Sequence, residues 1–163
     1  RAQAKTFIYA LLYGAGDAKM GEIVGGGEKE GKAMRAKFMK AIPAYADLLS
    51  DVKAVATERG SLRGLDGRPI PVRNQHSALN SLLQCAGAVV MKQATVLACE
   101  RTVGRAYLVA HIHDEMQFEC PEAEAQAIAP ELSDSIVQSG VTLNLRIPMA
   151  GDAKVGKSWA DTH

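Results

Sequence analysis

The chain has 163 residues, 47% of them hydrophobic, and a net charge of +1. This length suits one compact unit with a sizeable core, or two small lobes. Charged or amide residues interrupt every apolar stretch well short of the roughly 20 residues that a membrane-spanning helix needs, so we expect no membrane partner. The three cysteines form no CxxC pair, which argues against a zinc site and favours a reduced, cytoplasmic protein.

The two halves of the chain differ in charge. Residues 1–73 carry 13 Lys and Arg against 8 Asp and Glu, a net charge of +5, whereas residues 74–163 carry 6 against 10, a net charge of −4. A basic half beside an acidic half suits an anionic ligand at one end and metal ions at the other. An uneven solvated surface would produce the same numbers.

Apolar periodicity predicts a helix over residues 3–13 at the start of the chain. Its apolar face consists of Phe7, Ile8, Leu11 and Leu12. The helical pattern begins at the first residue without an N-cap signal, so we expect a chain cut within a larger domain.

Glycine and proline divide the next stretch. Asp17 is expected to cap a short helix that ends near Val24. Helical pattern resumes over residues 28–59, with Pro43 at the first turn of a second helix. A hairpin over residues 61–73 follows, because Asp-Gly between two extended runs is a strong turn signal.

The second half predicts further helices and a second hairpin. Residues 77–102 form a long, mostly apolar helix that we expect to be buried. The runs 106–112 and 116–120 form a hairpin, residues 121–139 a helix, and residues 141–147, which alternate in polarity, a strand. The fold class is therefore α+β, with an antiparallel sheet.

Four side chains at a fixed spacing share one face of the first helix. Arg1, Lys5, Tyr9 and Tyr13 lie four residues apart. At about 1.5 Å per residue they span about 18 Å, comparable to a nucleoside triphosphate laid along the helix. Cations at a helix N-terminus suit phosphates. The same spacing would also arise if the two basic residues were simply solvated and the two tyrosines packed at the edge of a domain.

The run RAQAKTFIYALLYG resembles the R-x3-K-x3-[FY]-x3-YG signature of the fingers helix in family A DNA polymerases. The resemblance implies that Arg1 and Lys5 grip the incoming triphosphate, Lys5 as a catalytic residue. Tyr9 would lie at the sugar-discriminating position, where tyrosine is similar to phage-type members. Tyr13, with Gly14, would stack at the template base.

A polar stripe opens the long apolar helix. His76, Asn80 and Gln84 repeat every four residues and need partners there. These are either protein groups at a lobe boundary or the minor groove of DNA, where every base pair presents acceptors. HSALNSLLQCAGA resembles the family's helix bearing an N-x3-Q pair, which favours minor-groove contact by Asn80 and Gln84; His76 is the weaker match.

Three polar residues, His113-Asp114-Glu115, separate the two runs of the second hairpin. They suit either an exposed turn or a metal site. VAHIHDEMQFEC resembles the third polymerase motif of the same family. By that resemblance Asp114 ligates the catalytic magnesium ions, Glu115 assists near the metals, and His113 contacts the primer terminus. His111 lies outside the motif and is expected to be structural.

The implied chemistry is phosphoryl transfer by two Mg²⁺ ions, which lie about 4 Å apart and need at least two bridging carboxylates. Asp114 is one of these. The family takes the other from a D-x-S-x-x-E motif on a strand before the fingers, and this sequence has no such motif. We expect a missing upstream polymerase segment to supply it. The final KVGKSWADTH is similar to the family's terminus, which places a Trp near a final His beside the active site.

The resemblance assigns residues 1–75 to the fingers, mainly helical, and residues 76–163 to the palm, with its small antiparallel sheet. It implies part of a template-directed DNA polymerase whose partners are primer-template DNA and dNTP, in the cytoplasm of a bacterial or phage-infected host cell. A processivity factor is left open as a further partner. The alternative is a non-catalytic DNA- or nucleotide-binding fragment of a split or degraded polymerase. A third hypothesis is a nucleotidase with a phosphate-binding loop at Gly26-x4-Gly31-Lys32. It is weaker because Ala33 stands where the motif requires Ser or Thr.

Overall fold

A computed structural model of the protein describes residues 2–163, and Arg1 lies outside the described residues. The chain divides into two compact units, one ending at Cys85 and the other running from Ala86 to His163. This division falls inside a helix, ten residues after the fingers-palm boundary expected from the sequence. The assignment of residues 1–75 and 76–163 to those subdomains stays a prediction.

Helices dominate the first unit. They are α1 (Ala2–Leu12), α2 (Asp17–Val24), α3 (Glu28–Ala41) and α4 (Pro43–Arg59). Strands β1 (Ser61–Arg63) and β2 (Pro69–Pro71) pair as an antiparallel hairpin, and a 3-10 turn at Gln75–Ser77 leads into α5 (Ala78–Arg101). The helices and the hairpin predicted for this half are confirmed.

The predicted capping role of Asp17 is wrong. Gly16 occupies the N-cap position of α2, and no side chain caps that helix. The Asp17 carboxylate instead accepts a hydrogen bond of 2.6 Å from Arg35 Nε on α3. Both partners of this bond are charged, whereas a backbone N–H donor is neutral, and the carboxylate joins two helices rather than capping one.

Two helices of the first unit touch through their backbones. A Cβ atom on Gly31 of α3 would lie 1.9 Å from the carbonyl oxygen of Asp17, and one on Gly21 of α2 would lie 1.9 Å from that of Gly27. Both glycines are buried. The glycines that imitate a phosphate-binding loop therefore permit close packing of α2 on α3, and Gly31 lies inside a helix rather than in a loop.

The first unit has two apolar clusters. One consists of Phe7, Leu11 and Met20, packed against Phe38 of α3. The other joins α4, β1 and the start of α5 through Val52, Ala56, Leu62, Ala78 and Leu79. Ile8 was expected on the buried face of α1, but 43% of its surface is exposed, because the buried stripe of this helix is only as wide as Phe7 and Leu11.

The second unit contains the rest of α5, the strands β3 (Tyr107–Ile112) and β4 (Glu115–Glu119), and the helices α6 (Ala125–Thr142) and α7 (Trp159–Thr162). β3 and β4 pair antiparallel, with an irregularity between Leu108 and Ala110. Residues 2–163 thus contain two separate two-stranded sheets, each a hairpin. The predicted α+β fold class is confirmed.

Arginines at the end of α5 hold α6. Arg101 Nη1 lies 2.7 Å from Asp134 Oδ2, and Arg105 Nη2 lies 2.5 Å from Glu131 Oε2. The hydrogen bond from Arg105 holds the pKa of Glu131 below its ordinary value. These pairs link α6 to the last residue of α5 and to the segment that leads into β3.

The predictions for the segment around α6 are partly wrong. The helix begins at Ala125 rather than at Pro121, and it continues through Thr142 into the run 141–147 that was predicted as a strand. Asn144 adopts a left-handed φ of 56°, and Leu145 N–H donates to the Gly140 carbonyl at 2.9 Å. This arrangement closes the helix and turns the chain, which an alternating pattern cannot reveal.

Helix α5 is less buried than predicted. Within residues 2–163 the segment Gln75–Arg101 is long and apolar enough to cross a membrane by length and composition, with a mean hydropathy of 1.5. Only 28% of its most apolar window is buried. This segment was not expected to qualify, because the amides and charges within it break the run of apolar residues. Core helices of soluble proteins meet the same criterion, so the finding alone assigns no membrane role.

Replacing Gly31 with alanine should destabilise the first unit. The added methyl group meets a backbone oxygen, and such overpacking costs about 1–3 kcal/mol, which exceeds the gain of about 1 kcal/mol in helix propensity. We expect urea denaturation of Gly31→Ala to show a lower free energy of unfolding than wild type.

The matched control is Gly87→Ala, because Gly87 also lies inside a helix but has nothing within 4 Å of the added atom. That variant should be as stable as wild type or gain up to about 1 kcal/mol. Equal stabilisation by both substitutions would contradict the close packing of α2 on α3.

Candidate functional site

The predicted ladder on α1 is exposed along its described part. Tyr9 and Tyr13 are 49% and 52% exposed, and Lys5 is also exposed. Lys5 Nζ lies 5.7 Å from the centroid of the Tyr9 ring, and the two tyrosine rings are 6.5 Å apart. The opposite face of the helix is anchored by buried Phe7 and Leu11. The helix therefore presents a cation and two aromatic rings in a row, while Arg1 lies outside the described residues.

Gly14 ends this row at a position that no other residue fits easily. Its φ of 76° lies in the left-handed region, and a Cβ atom there would lie 2.4 Å from the carbonyl oxygen of His76. Glycine alone satisfies both conditions without strain. It therefore brings the end of α1 against the 3-10 turn that precedes α5.

The polar stripe of α5 meets α1 at this point. Gln84 Nε2 donates a hydrogen bond of 3.1 Å to the Tyr13 hydroxyl. His76 is exposed, with its backbone N–H held by Asn74 Oδ1 at 2.9 Å, and Asn80 is half-buried. Tyr13, Gly14, His76 and Gln84 are thus brought together within the first unit. Because a side-chain amide has two N–H groups, Gln84 keeps one for a further acceptor.

In the second unit, His113 and Asp114 form the two-residue connection between β3 and β4. Ile112 pairs with Glu115 on either side of it. His113 takes a left-handed φ of 54°, and Asp114 is exposed. Left-handed backbone is strained for a residue with a Cβ atom, and such strain is concentrated at functional sites. The hairpin therefore holds the Asp114 carboxylate at its tip, open to solvent.

Glu115 is arranged differently from its neighbour. Its Oε1 accepts hydrogen bonds from Gln117 and, at 2.7 Å, from Trp159 Nε1, while Oε2 lies 3.0 Å from His163 Nδ1. Its side chain is 30% exposed. The bonds from Gln117, His163 and Trp159 hold the pKa of Glu115 below its ordinary value, so the carboxylate stays ionised. Its predicted metal-ligating role remains a prediction, and its oxygens already have donors.

Asp114 can supply one carboxylate to a metal ion. Among residues 2–163 no group of three or more His, Cys, Asp and Glu side chains could hold a metal ion. One exposed carboxylate fits one ligand of a Mg²⁺ site, which prefers oxygen and keeps several waters. Asp114 is therefore a candidate for a single ligand, and the described residues do not by themselves form a metal site.

A cleft of about 1040 Å³ lies within the second unit. Its walls come from β4, α6 and the last twelve residues, and they include Asp114, Glu115 and Trp159. The hairpin tip therefore borders a space large enough for a ligand or for a further chain segment.

Sequence reasoning missed the contacts of Trp159, His163 and Gln117 with Glu115. Similarity of the chain end to a family terminus indicated a Trp and a His near the site, but no spacing links Glu115 to a residue 44 positions later. His111 links β3 to α5, because its Nδ1 lies 3.1 Å from Thr95 Oγ1 on that helix.

Comparisons with known proteins agree on one family. The model of DNA polymerase family A matches residues 1–161. The chain is 43% identical over 173 residues to the DNA-directed DNA polymerase of Escherichia phage Phieco32, covering 100% of the chain and 28% of that protein. It is 36% identical over 188 residues to the DNA-directed DNA polymerase of Escherichia phage T7, again over 100% of the chain and 27% of the relative. The chain thus spans little more than a quarter of these relatives.

A solved structure shares the fold. It is the polymerase domain of Pol1 from M. smegmatis, in complex with DNA primer-template and dNTP. The TM-score is 0.79 at 20% sequence identity, over 96% of this chain and 29% of that chain.

Because His113 has a left-handed φ, replacing it with glycine should not lower the stability of the protein. In His113→Gly the left-handed turn loses its steric cost, because glycine adopts a positive φ without strain. We expect thermal denaturation to show an unchanged or higher stability, by no more than about 1 kcal/mol.

Asn144→Gly is the matched control, since Asn144 is the other residue with a left-handed φ that is not glycine in the described chain. It should respond in the same direction, because glycine removes the same steric cost at a nearly equal φ. A clear loss of stability in His113→Gly alone would mean that the imidazole supports the fold.

Proposed function

The chain belongs to DNA polymerase family A, and from that premise we propose that it grips the incoming nucleotide and presents catalytic metal in an enzyme that extends a DNA primer on a template. The observation that carries the proposal is the exposed row of Lys5, Tyr9 and Tyr13 on α1, which is backed by a buried apolar face. A rigid row of this kind can receive a triphosphate at its cationic end and a sugar and base at its aromatic end.

Lys5 is the proposed phosphate-binding and catalytic residue of this row, together with Arg1. An exposed ammonium held by contact with the Tyr9 ring loses little further freedom when it meets a phosphate. Tyr9 then lies beside the sugar and Tyr13 at the templating position. The basic first half of the chain favours approach of an anionic substrate.

His76, Asn80 and Gln84 are proposed to contact the minor groove of the primer-template. The minor groove presents acceptors at equivalent positions in every base pair, so amide donors there test the shape of a pair without reading its sequence. The free N–H of Gln84 suits this role, and its bond to Tyr13 links it to the templating position.

Asp114 is proposed to ligate magnesium at the hairpin tip, with His113 directed to the primer terminus. Magnesium bound there would lower the pKa of the primer 3′-hydroxyl and stabilise the charge on the departing pyrophosphate. Asp114 would supply one carboxylate to the metal from a two-residue turn whose backbone has little freedom to move. An upstream segment of the polymerase is proposed to supply the other, and Glu115 is the remaining candidate beside it.

Substitutions of Asp114 and of Lys5 should change different kinetic constants of the complete polymerase that carries this chain. Asp114→Asn removes a metal ligand and should lower kcat about a thousandfold, with little change in the Kd for primer-template. Lys5→Ala removes charge-assisted bonds to the triphosphate and should raise KM for dNTP at least about tenfold. Steady-state primer extension and filter-binding assays measure these constants.

The control variants each remove one charge of the same sign at another exposed position. Lys37 on α3 is the control position for Lys5, and Glu119 at the end of β4 is the control position for Asp114. Lys37→Ala should leave KM for dNTP unchanged, and Glu119→Gln should leave kcat unchanged. Loss of template affinity and nucleotide use to the same extent in Lys5→Ala would contradict its assignment.

A non-catalytic binding fragment is the second candidate function. It is favoured by the single exposed carboxylate at the hairpin tip and by the lack of a complete metal cluster among residues 2–163. The two candidates make opposite predictions for the chain mixed with an upstream polymerase segment that bears the D-x-S-x-x-E motif. A split enzyme recovers Mg²⁺-dependent primer extension that Asp114→Asn abolishes, whereas a binding fragment retains DNA without synthesis. The chain alone should extend primers little or not at all.

A further inference from the structure

The Glu115 carboxylate is the most heavily bonded side chain of the hairpin. Gln117 and Trp159 both donate to Oε1, and His163 bonds Oε2. A carboxylate oxygen has two lone pairs, so the two donors on Oε1 leave it no further capacity. Hydrogen bonds to an ionised acceptor are about twice as strong as neutral ones. Glu115 is therefore fixed in one orientation, directly beside the exposed Asp114.

The indole that bonds Glu115 is itself held by local structure. Asp161 Oδ2 accepts from the backbone N–H groups of Lys157 and Ser158 at 3.0 and 2.9 Å, which caps the short helix α7. Thr162 Oγ1 donates to Gln117 Oε1 at 3.3 Å, so the same helix also touches the second donor. α7 thus aims the Trp159 N–H at the hairpin and steadies Gln117.

We infer that Trp159 is a positioning residue for the reaction: its indole N–H, together with Gln117, anchors Glu115 and thereby sets the direction in which the hairpin turn presents Asp114. The argument depends on the proposed polymerase function for the role of Asp114, but the contact itself does not. A turn of two residues has no slack, so an anchor on Glu115 restrains its neighbour.

The contact can be tested on the 163-residue chain without any activity. Trp159 is the only tryptophan, so one indole N–H signal appears in a ¹⁵N–¹H spectrum. Loss of the carboxylate in Glu115→Ala should move the indole proton upfield and speed its exchange with solvent. Glu119→Ala, at the exposed end of the same strand, should leave both unchanged. An indole signal that ignores Glu115→Ala, or that responds equally to Glu119→Ala, would overturn the inference.

The positioning role is tested in the complete polymerase with Trp159→Phe, which keeps an aromatic ring and removes the N–H. Loss of a hydrogen bond to a charged acceptor should lower kcat about tenfold, while KM for dNTP and the Kd for primer-template stay unchanged. In a Glu115→Ala background Trp159→Phe should have no further effect, because the group it anchors is absent.

A merely structural tryptophan would instead give the same loss in both backgrounds, and that additivity would overturn the proposal, as would a loss confined to template affinity. Failure of the wild-type polymerase to extend primers would refute the proposed function and leave the result of the spectroscopic test intact.

Discussion

The two-residue connection between β3 and β4 is the constraint on which the second unit depends. It is so short that His113 adopts left-handed backbone, and Asp114 is exposed to solvent while the flanking Ile112 and Glu115 pair with each other. An exposed carboxylate would ordinarily move freely, at a cost in entropy when it binds. Here the turn and the strand pairing restrict the backbone of Asp114 beforehand, and we infer that the anchored Glu115 adds to this restraint. Rigid support behind an exposed charge is the arrangement that metal-assisted chemistry requires.

In the first unit, too, packed residues support the side chains that are exposed to solvent. Its exposed row on α1 is backed by Phe7 and Leu11, and the end of the row is fixed where Gly14 approaches the His76 backbone. Helices α2 and α3 meet closely enough that only glycine fits between them. The row of Lys5, Tyr9 and Tyr13 therefore lies opposite a packed apolar face, so the fold provides order that ligand binding would otherwise demand.

Local signals in the sequence predicted most elements. The helices α1 to α4 and both hairpins follow from apolar periodicity and from glycine and proline at their ends, which act over a few residues. The strand predicted over residues 141–147 was wrong because alternating polarity does not reveal a left-handed residue at Asn144 or a helix that continues into the run. Burial of α5 was overestimated, because composition reports how apolar a helix is and not what lies against it.

The candidate site was predicted unevenly for the same reason. Spacing and family resemblance located the face of α1, the stripe of α5 and the hairpin tip. They assigned Glu115 beside the metals without revealing that Trp159 and His163 bond its carboxylate. Likewise, nothing in the spacing of Tyr13 and Gln84 predicts their hydrogen bond across 71 positions. Contacts between residues that are distant in the chain depend on tertiary structure, which one sequence does not encode in any local pattern.

We propose that the α1 row binds the phosphates of the incoming nucleotide and that the hairpin tip binds catalytic magnesium. The most direct measurement is a crystal structure of the complete polymerase with primer-template, dNTP and Mg²⁺, from which the distances of Lys5 Nζ to the phosphate oxygens and of the Asp114 carboxylate to the metal are read. We expect Lys5 Nζ within hydrogen-bond distance of a phosphate oxygen and an Asp114 carboxylate oxygen bound to Mg²⁺. A nucleotide whose phosphates lie away from Lys5, or a catalytic metal bound without Asp114, would contradict this proposal.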